Sequence, residues 1–193
     1  MSKACRWILA SASPRRRELL KLLIREFEAV SSDVDESVQR GESPATLVQR
    51  LAREKALAVQ KSNPDATILG ADTIVVCDRE MLGKPTTAEE ARRMLRRLSG
   101  RIHQVLTGVC LLDPKNLRVD VASTNVQVSV LSDSEIDCYV KSGEPLDKAG
   151  AYGIQGMGAR FIERMDGCYF NVVGLPVSLI YRMLKEMGYE PDG

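Results

Sequence analysis

The sequence predicts an α/β or α+β fold built on a mixed sheet, and three observations carry that prediction. The apolar run Ile68 to Val76, bounded by Asn63-Pro64-Asp65 and Asp78-Arg79-Glu80, has the length and β-branched enrichment of a buried strand. Several segments open on Ser or Thr followed by Pro, or by Glu three residues on, which marks helix starts. Strand-like and helix-like segments then alternate irregularly, with no internal repeat, low-complexity tract or linker. At 193 residues the chain suits one domain, two-lobed at most, with room for a real core.

Each element follows from local chemistry. Arg6 to Ala10 reads as a first strand. Ser13 as N-cap and Pro14 at the first helical position open a helix to about Leu23 that buries Leu19, Leu20 and Leu23. Phe27 to Val30 reads as a second strand. Ser43-Pro44 opens a helix to about Lys61, with Leu47, Val48, Leu51, Ala52, Ala56 and Val59 on one face. The Asp72 strand follows, then a hairpin through Asp78-Arg79-Glu80 and the loop Gly83-Lys84-Pro85. Thr87-Ala88-Glu89-Glu90 reads as a capping box for a helix that Gly100 closes, and Ser132-Asp133-Ser134-Glu135 as a second one, for a helix that Gly143 ends. Between them lie strands Gln104 to Leu112 and Val119 to Leu131. Glycine-rich hairpin turns from Gly150 to Gly158, strands near Arg160 to Arg164 and Tyr169 to Val173, and a helix from about Pro176 to Met187, stopped by Gly188, complete the reading.

Composition narrows the function classes. Apolar residues make up 44% and charged residues 27%, as in ordinary globular proteins, and the net charge of +1 argues against a general nucleic-acid surface. No apolar run approaches the length of a membrane span, and Met1-Ser2-Lys3-Ala4-Cys5-Arg6 has no secretory apolar region. Cys5, Cys77, Cys110, Cys138 and Cys168 are scattered without a C-x-x-C pair. They read as free thiols in a reducing cytoplasm. The lone His103 reads as a partly exposed strand residue without chemistry. With so few soft ligands, any metal must be a hard cation on carboxylates.

Asp72 is the one carboxylate in its apolar run. An ionised Asp inside a sheet is costly unless paired or bound to a metal, the alternative being an Asp-Thr edge or bulge bonded to backbone. The first strand-loop-helix unit is a natural anion site, with the hydroxyls of Ser11 and Ser13 and the backbone N–H groups of a helix start. Arg15, Arg16 and Arg17 oppose the dipole of that turn, which suggests an expected anion; the alternative is a solvated basic turn. Neither a P-loop nor a dinucleotide fingerprint occurs. Lys55 borders the apolar face of its helix, where it either serves a site or snorkels outward. Lys84 lies on a stiff loop and is either a site residue or solvated. Together, Glu36, Asp72, Lys55, Lys84 and the turn from Ser11 to Arg16 suit metal-assisted hydrolysis of a phosphoanhydride.

At this point the sequence resembles the Maf (septum formation inhibitor) family. The motifs are Ser11-Ala12-Ser13-Pro14-Arg15-Arg16, Val34-Asp35-Glu36, Arg53-Glu54-Lys55-Ala56, Gly70-Ala71-Asp72-Thr73, Gly83-Lys84-Pro85, Asp147 to Gly156, and Asn171 to Pro176. They run in the family's order from about Ile8 to Leu184. The resemblance implies a single nucleoside triphosphate pyrophosphatase domain over residues 1–193, which releases nucleoside monophosphate and pyrophosphate with Mg²⁺ or Mn²⁺. It implies an α/β fold similar to inosine triphosphate pyrophosphatases, with a long mixed twisted sheet, flanking helices and a cleft between two lobes. It also makes a homodimer an expectation.

By motif, Asp72 matches the family's proton acceptor and, with Glu36, its metal site; Ser11, Arg15, Arg16, Lys55 and Lys84 match its substrate cleft. Arg15, Thr73 and Gln155 resemble the branch acting on dTTP and UTP, whereas the 7-methyl-GTP branch typically has Trp, Gln and Glu there. An amide such as Gln155 can both donate to and accept from a pyrimidine edge. The competing readings are a non-catalytic nucleotide-binding regulator of cell division and a phosphatase that removes the terminal phosphate. One departure stands out: Ile24 occupies a position where the family usually has Gly, so the first helix must end differently here.

Overall fold

The computed structural model describes residues 6–191, so Cys5 lies outside the described residues. Among those residues, seven strands form one mixed sheet: β1 (Trp7–Ala10), β2 (Glu28–Ala29), β3 (Thr67–Cys77), β4 (Glu80–Leu82), β5 (Ile102–Leu112), β6 (Leu117–Val128) and β7 (Ile162–Asp166). The order is β2-β1-β3-β5-β6-β7, with β4 paired to β3. β1 runs parallel to β2 and β3, while β3/β4 and β6/β7 are antiparallel. The mixed α/β sheet is as expected. The chain divides into two compact units. The first comprises the residues up to Asp72, Thr107–Ala122 and those from Gly174 on; the second comprises Thr73–Leu106 and Ser123–Val173.

In the first unit, α1 (Pro14–Leu20), α2 (Pro44–Gln60) and α6 (Val177–Glu186) accompany the parallel strands. Ser13 and Ser43 cap α1 and α2 through bonds from Arg16 N and Thr46 N, as the Ser-Pro starts predict. The core joins Ile8, Ala10 and Ile68 of the sheet to Ala52, Ala56 and Val59 of α2, with Cys110 and Leu112 of β5. Each large side chain buried in this way contributes about 1.5–3 kcal/mol. α2 lies unusually close to the strands. A Cβ on Gly70 would strike the Ala52 carbonyl oxygen, and one on Gly108 would strike the Val48 carbonyl. Both positions therefore need a residue without a side chain.

α1 ends earlier than the sequence suggests and without a left-handed cap. Leu22 N bonds Leu19 O, while Leu23 N and Ile24 N both bond Leu20 O, at 3.2, 2.9 and 2.9 Å. Ile24 is only 3% exposed. Where a Gly would turn the chain, a tightened turn lets the Ile side chain enter the core.

In the second unit, α3 (Ala88–Leu98) and α4 (Asp133–Lys141) pack over a core that includes Val75, Leu82, Met94, Val126, Tyr139 and Phe161. The turn at Asp78-Arg79 places both residues at positive φ (49° and 69°), the twist that a two-residue hairpin requires. The Ser132 capping box forms completely. The Thr87 box does not. Thr87 Oγ1 accepts from Glu90 N, but the Glu90 carboxylate goes to Thr86 N and Oγ1 instead of back to Thr87 N.

Three further expectations fail in this unit. The glycine-rich stretch is not a hairpin but two 3₁₀ turns, Ala149–Ala151 and Met157–Phe161. Tyr169–Val173 is a short helix, α5, and not a strand. Its start is pinned where Cys168 N bonds Thr124 Oγ1 (3.0 Å) and the buried Asn171 donates to Val105 O and Thr124 Oγ1 (both 2.9 Å). These tertiary bonds override the β propensity of Tyr, Phe and Val.

His103, expected to be partly exposed, is 2% exposed. Its Nε2 lies 2.8 Å from Tyr152 Oη. Burial lowers its pKa to about 4. Between about pH 6.5 and 4 the unfolded chain therefore binds a proton that the native state refuses. Stability present above 6.5 is lost as pH falls through that window, on the order of 3 kcal/mol in all. Chemical denaturation between pH 7 and 5 is expected to show this slope, and His103→Phe to flatten it.

Candidate functional site

In the first unit, the carboxyl ends of three parallel strands lead to Ser11, Glu36 and Asp72. β1 ends at Ala10, paired with Gly70 of β3, and Ser11 begins the next turn; Ala71 and Asp72 continue β3 past the pairing. β2 leads into the loop that bears Glu36. In open sheets of parallel strands this is the end where ligands bind.

At the centre stands Lys55. It lies on the buried stripe of α2, three residues after Ala52, and is 8% exposed. Its Nζ donates to Asp72 Oδ1 at 2.6 Å and reaches Glu36 Oε1 at 2.6 Å. Asp72 is 9% exposed and Glu36 mostly open to solvent. Lys55 therefore does not snorkel away from the core, and Asp72 is not a backbone-bonded bulge. Each buried charge has the other as partner, which is what desolvation requires. α2 seats closely on Gly70, two residues before Asp72.

Arg16 is the second organiser. Its Nε donates to Gly174 O at 2.8 Å, and its Nη1 donates to Ala71 O at 2.8 Å and to Ser11 Oγ at 3.3 Å. Burial pulls the guanidinium below its usual pKa; the charges of Asp72 and Glu36 oppose that, and Arg15 adds to it. Four predicted residues thus lie in one electrostatic neighbourhood. Ser11 is 8% exposed, and its Oγ also accepts from Ser13 N at 3.2 Å. α1 spans only seven residues, so its dipole is weaker than the sequence suggests, and side chains carry the positive field.

The other three predicted residues belong to the second unit. Thr73 follows Asp72 on β3 and is partly buried; Lys84, after β4, and Gln155, between the two 3₁₀ turns, are exposed. Gly83 O accepts from Gly150 N at 3.0 Å, which fastens the Lys84 loop to the segment leading to Gln155.

The residues that sequence reasoning missed act through backbone or at one remove. Gly174 and Ala71 offer carbonyl oxygens to Arg16. Arg50 of α2 ties down the stretch after Glu36 by donating to Ser37 O (2.9 Å), both Glu42 oxygens (2.7 and 2.9 Å) and Glu54 (3.1 Å). Its place four residues before Glu54 was a visible signal; its grip on Ser37 and Glu42 was not. Cysteine chemistry finds no support here. Among the described residues, Cys77 and Cys110 are buried free thiols, and burial pushes Cys110 up to about 12.

Among the described residues, no group of three or more His, Cys, Asp and Glu side chains is placed to hold a metal ion. Glu36 and Asp72, the two carboxylates expected to do so, meet on one ammonium. Two oxygen donors fit a hard cation that takes its remaining ligands from phosphates and water, and do not fit a closed protein cage. No helix among the described residues is long and apolar enough to cross a membrane.

The sequence profile of the family described as "Maf-like protein" matches residues 6–187. The chain is 50% identical over 182 residues to the dTTP/UTP pyrophosphatase of Syntrophomonas wolfei, covering 93% of this chain and 96% of that protein. It is 52% identical over 182 residues to the dTTP/UTP pyrophosphatase of Symbiobacterium thermophilum, covering 94% of each. Among solved structures, the Staphylococcus aureus Ham1 protein aligns over 94% of this chain and 99% of its own, at 14% identity and a TM-score of 0.48.

Proposed function

The chain belongs to the Maf-like family, and from that premise we propose that it hydrolyses the α–β phosphoanhydride of dTTP and UTP, releasing the nucleoside monophosphate and pyrophosphate. The observation that carries the reading is the Glu36–Lys55–Asp72 cluster beside the Arg16-braced Ser11 turn. Asp72 orients or deprotonates the attacking water, and that water attacks the α-phosphorus. Lys55, Lys84, Arg15 and Arg16 offset the charge that builds on the departing pyrophosphate, and Ser11 bonds a phosphate oxygen. Lys55 Nζ donates to Asp72 Oδ1 at 2.6 Å, which holds that carboxylate in place. When bound, a divalent cation such as Mg²⁺ or Mn²⁺ supplies further neutralisation of the triphosphate, with Glu36 and Asp72 as its protein ligands. Thr73 and Gln155 meet the pyrimidine, where the Gln155 amide can donate and accept at once. The relatives named for dTTP/UTP pyrophosphatase activity support the choice of substrate. A cytoplasmic homodimer is proposed with it.

The test is a panel of dTTP, UTP, CTP, dATP, GTP and 7-methyl-GTP with Mg²⁺ or Mn²⁺, scored separately for pyrophosphate and orthophosphate. The expected result is pyrophosphate from dTTP and UTP, abolished by a chelator. Orthophosphate instead would indicate a terminal phosphatase. Binding without turnover would indicate a regulator, and turnover of 7-methyl-GTP would discard the role of Arg15, Thr73 and Gln155.

A further inference from the structure

Gln155 is exposed and sits in a turn with no regular structure of its own, yet a base-reading amide must be held still. What holds this turn is a carboxylate. Glu144 Oε1 accepts from Tyr139 Oη (2.8 Å) and Gly158 N (3.2 Å), while its Oε2 accepts from Met157 N (2.8 Å). Tyr139 Oη in turn accepts from Gly153 N at 3.1 Å. Backbone donors on both sides of Gln155 therefore converge on one Tyr–Glu pair. The turn wraps it so closely that a Cβ on Gly156 would strike the Glu144 carboxylate, and one on Gly158 would lie 2.7 Å from Tyr139 Oη.

The pair is itself fixed. Tyr139 is fully buried on α4 and stacks edge-on against Phe161 at 5.3 Å between ring centroids. Lys148 Nζ donates to Glu144 O at 2.6 Å. We propose that Glu144 and Tyr139 are positioning residues for nucleobase selection, whose side chains template the Gly153–Gly158 turn so that Gln155 presents its amide in one orientation. The inference rests on the reading that Gln155 meets the base. A carboxylate suits the task because both of its oxygens accept; an amide in its place would turn a donor onto an N–H or O–H and break one side of the template.

The test compares kcat and KM for dTTP and dATP in wild type, Glu144→Gln, Tyr139→Phe and Gln155→Ala. In Glu144→Gln, KM for dTTP is expected to rise about tenfold with kcat changing far less, and KM for dATP to move little, so the preference for dTTP shrinks about tenfold. Tyr139→Phe, which keeps the stack on Phe161, shifts the preference in the same direction and carries the test if Glu144→Gln does not fold. Gln155→Ala removes the preference, and adding Glu144→Gln to it removes nothing further. A wild type that favours dTTP, with the preference intact in both template variants, overturns the positioning role alone; so does an equal loss of kcat/KM for both nucleotides. A wild type with no preference for dTTP overturns the reading of Gln155 and this inference with it.

Discussion

Replacing Asp72 with Asn is expected to lower turnover of dTTP by about 10²–10⁴-fold, the range that a positioned general base supplies. The substitution keeps size and shape, and the oxygen of the new amide can still accept from Lys55 Nζ, which retains Glu36 as its counter-ion at 2.6 Å. The fold should therefore survive, with a melting temperature close to that of wild type. Nucleotide affinity should survive as well, since Glu36 remains for the cation and Lys55, Lys84, Arg15 and Arg16 remain for the phosphates. Single-turnover kinetics at saturating dTTP separate the chemical step from binding. Near-normal turnover in that variant would remove Asp72 from its role as base.

Much of this site was legible in the sequence because its members break local rules. An Asp in an apolar strand, a Lys on the buried stripe of an amphipathic helix and three arginines at a helix start each conflict with what packing alone would choose, and such conflicts mark function. The structure places two of those anomalies against each other, Lys55 against Asp72, and turns a third, Arg16, inward to bond Ser11 and the Ala71 carbonyl. Arg16 shows where residue-type reasoning stops. Read as a cation awaiting an anion, it spends three hydrogen bonds on backbone and Ser11.

The unread parts share a physical cause. The Gly174 and Ala71 carbonyls carry no side-chain signal, so a backbone role cannot be read from residue type. Gly70 has no side chain to read. Its significance is a helix seated so closely that no Cβ fits, a long-range fact between residues 52 and 70. Tyr169–Val173 was misread because its helix depends on bonds to Thr124 and Val105, and the turn around Gln155 because Glu144 organises it from outside. Local propensity does not register either.

Lys55→Met separates what the cluster does for stability from what it does for chemistry. The Met side chain fills the space of the Lys stem on α2 but leaves Asp72, 9% exposed, without its nearest cation. Breaking a buried pair in this way costs about 3–5 kcal/mol, and the low end is expected because the charge of Arg16 still attracts Asp72. Turnover should fall by about 10²-fold or more as the departing pyrophosphate loses a fixed positive charge. The double variant Lys55→Met/Asp72→Asn is the discriminating one. It removes the stranded charge, so denaturant titration should show most of the lost stability regained while turnover stays at or below that of either single variant. If stability does not return, the destabilisation comes from packing of α2 against Gly70 and not from charge. If turnover returns with it, the ammonium serves only to neutralise Asp72 and has no share in phosphoryl chemistry.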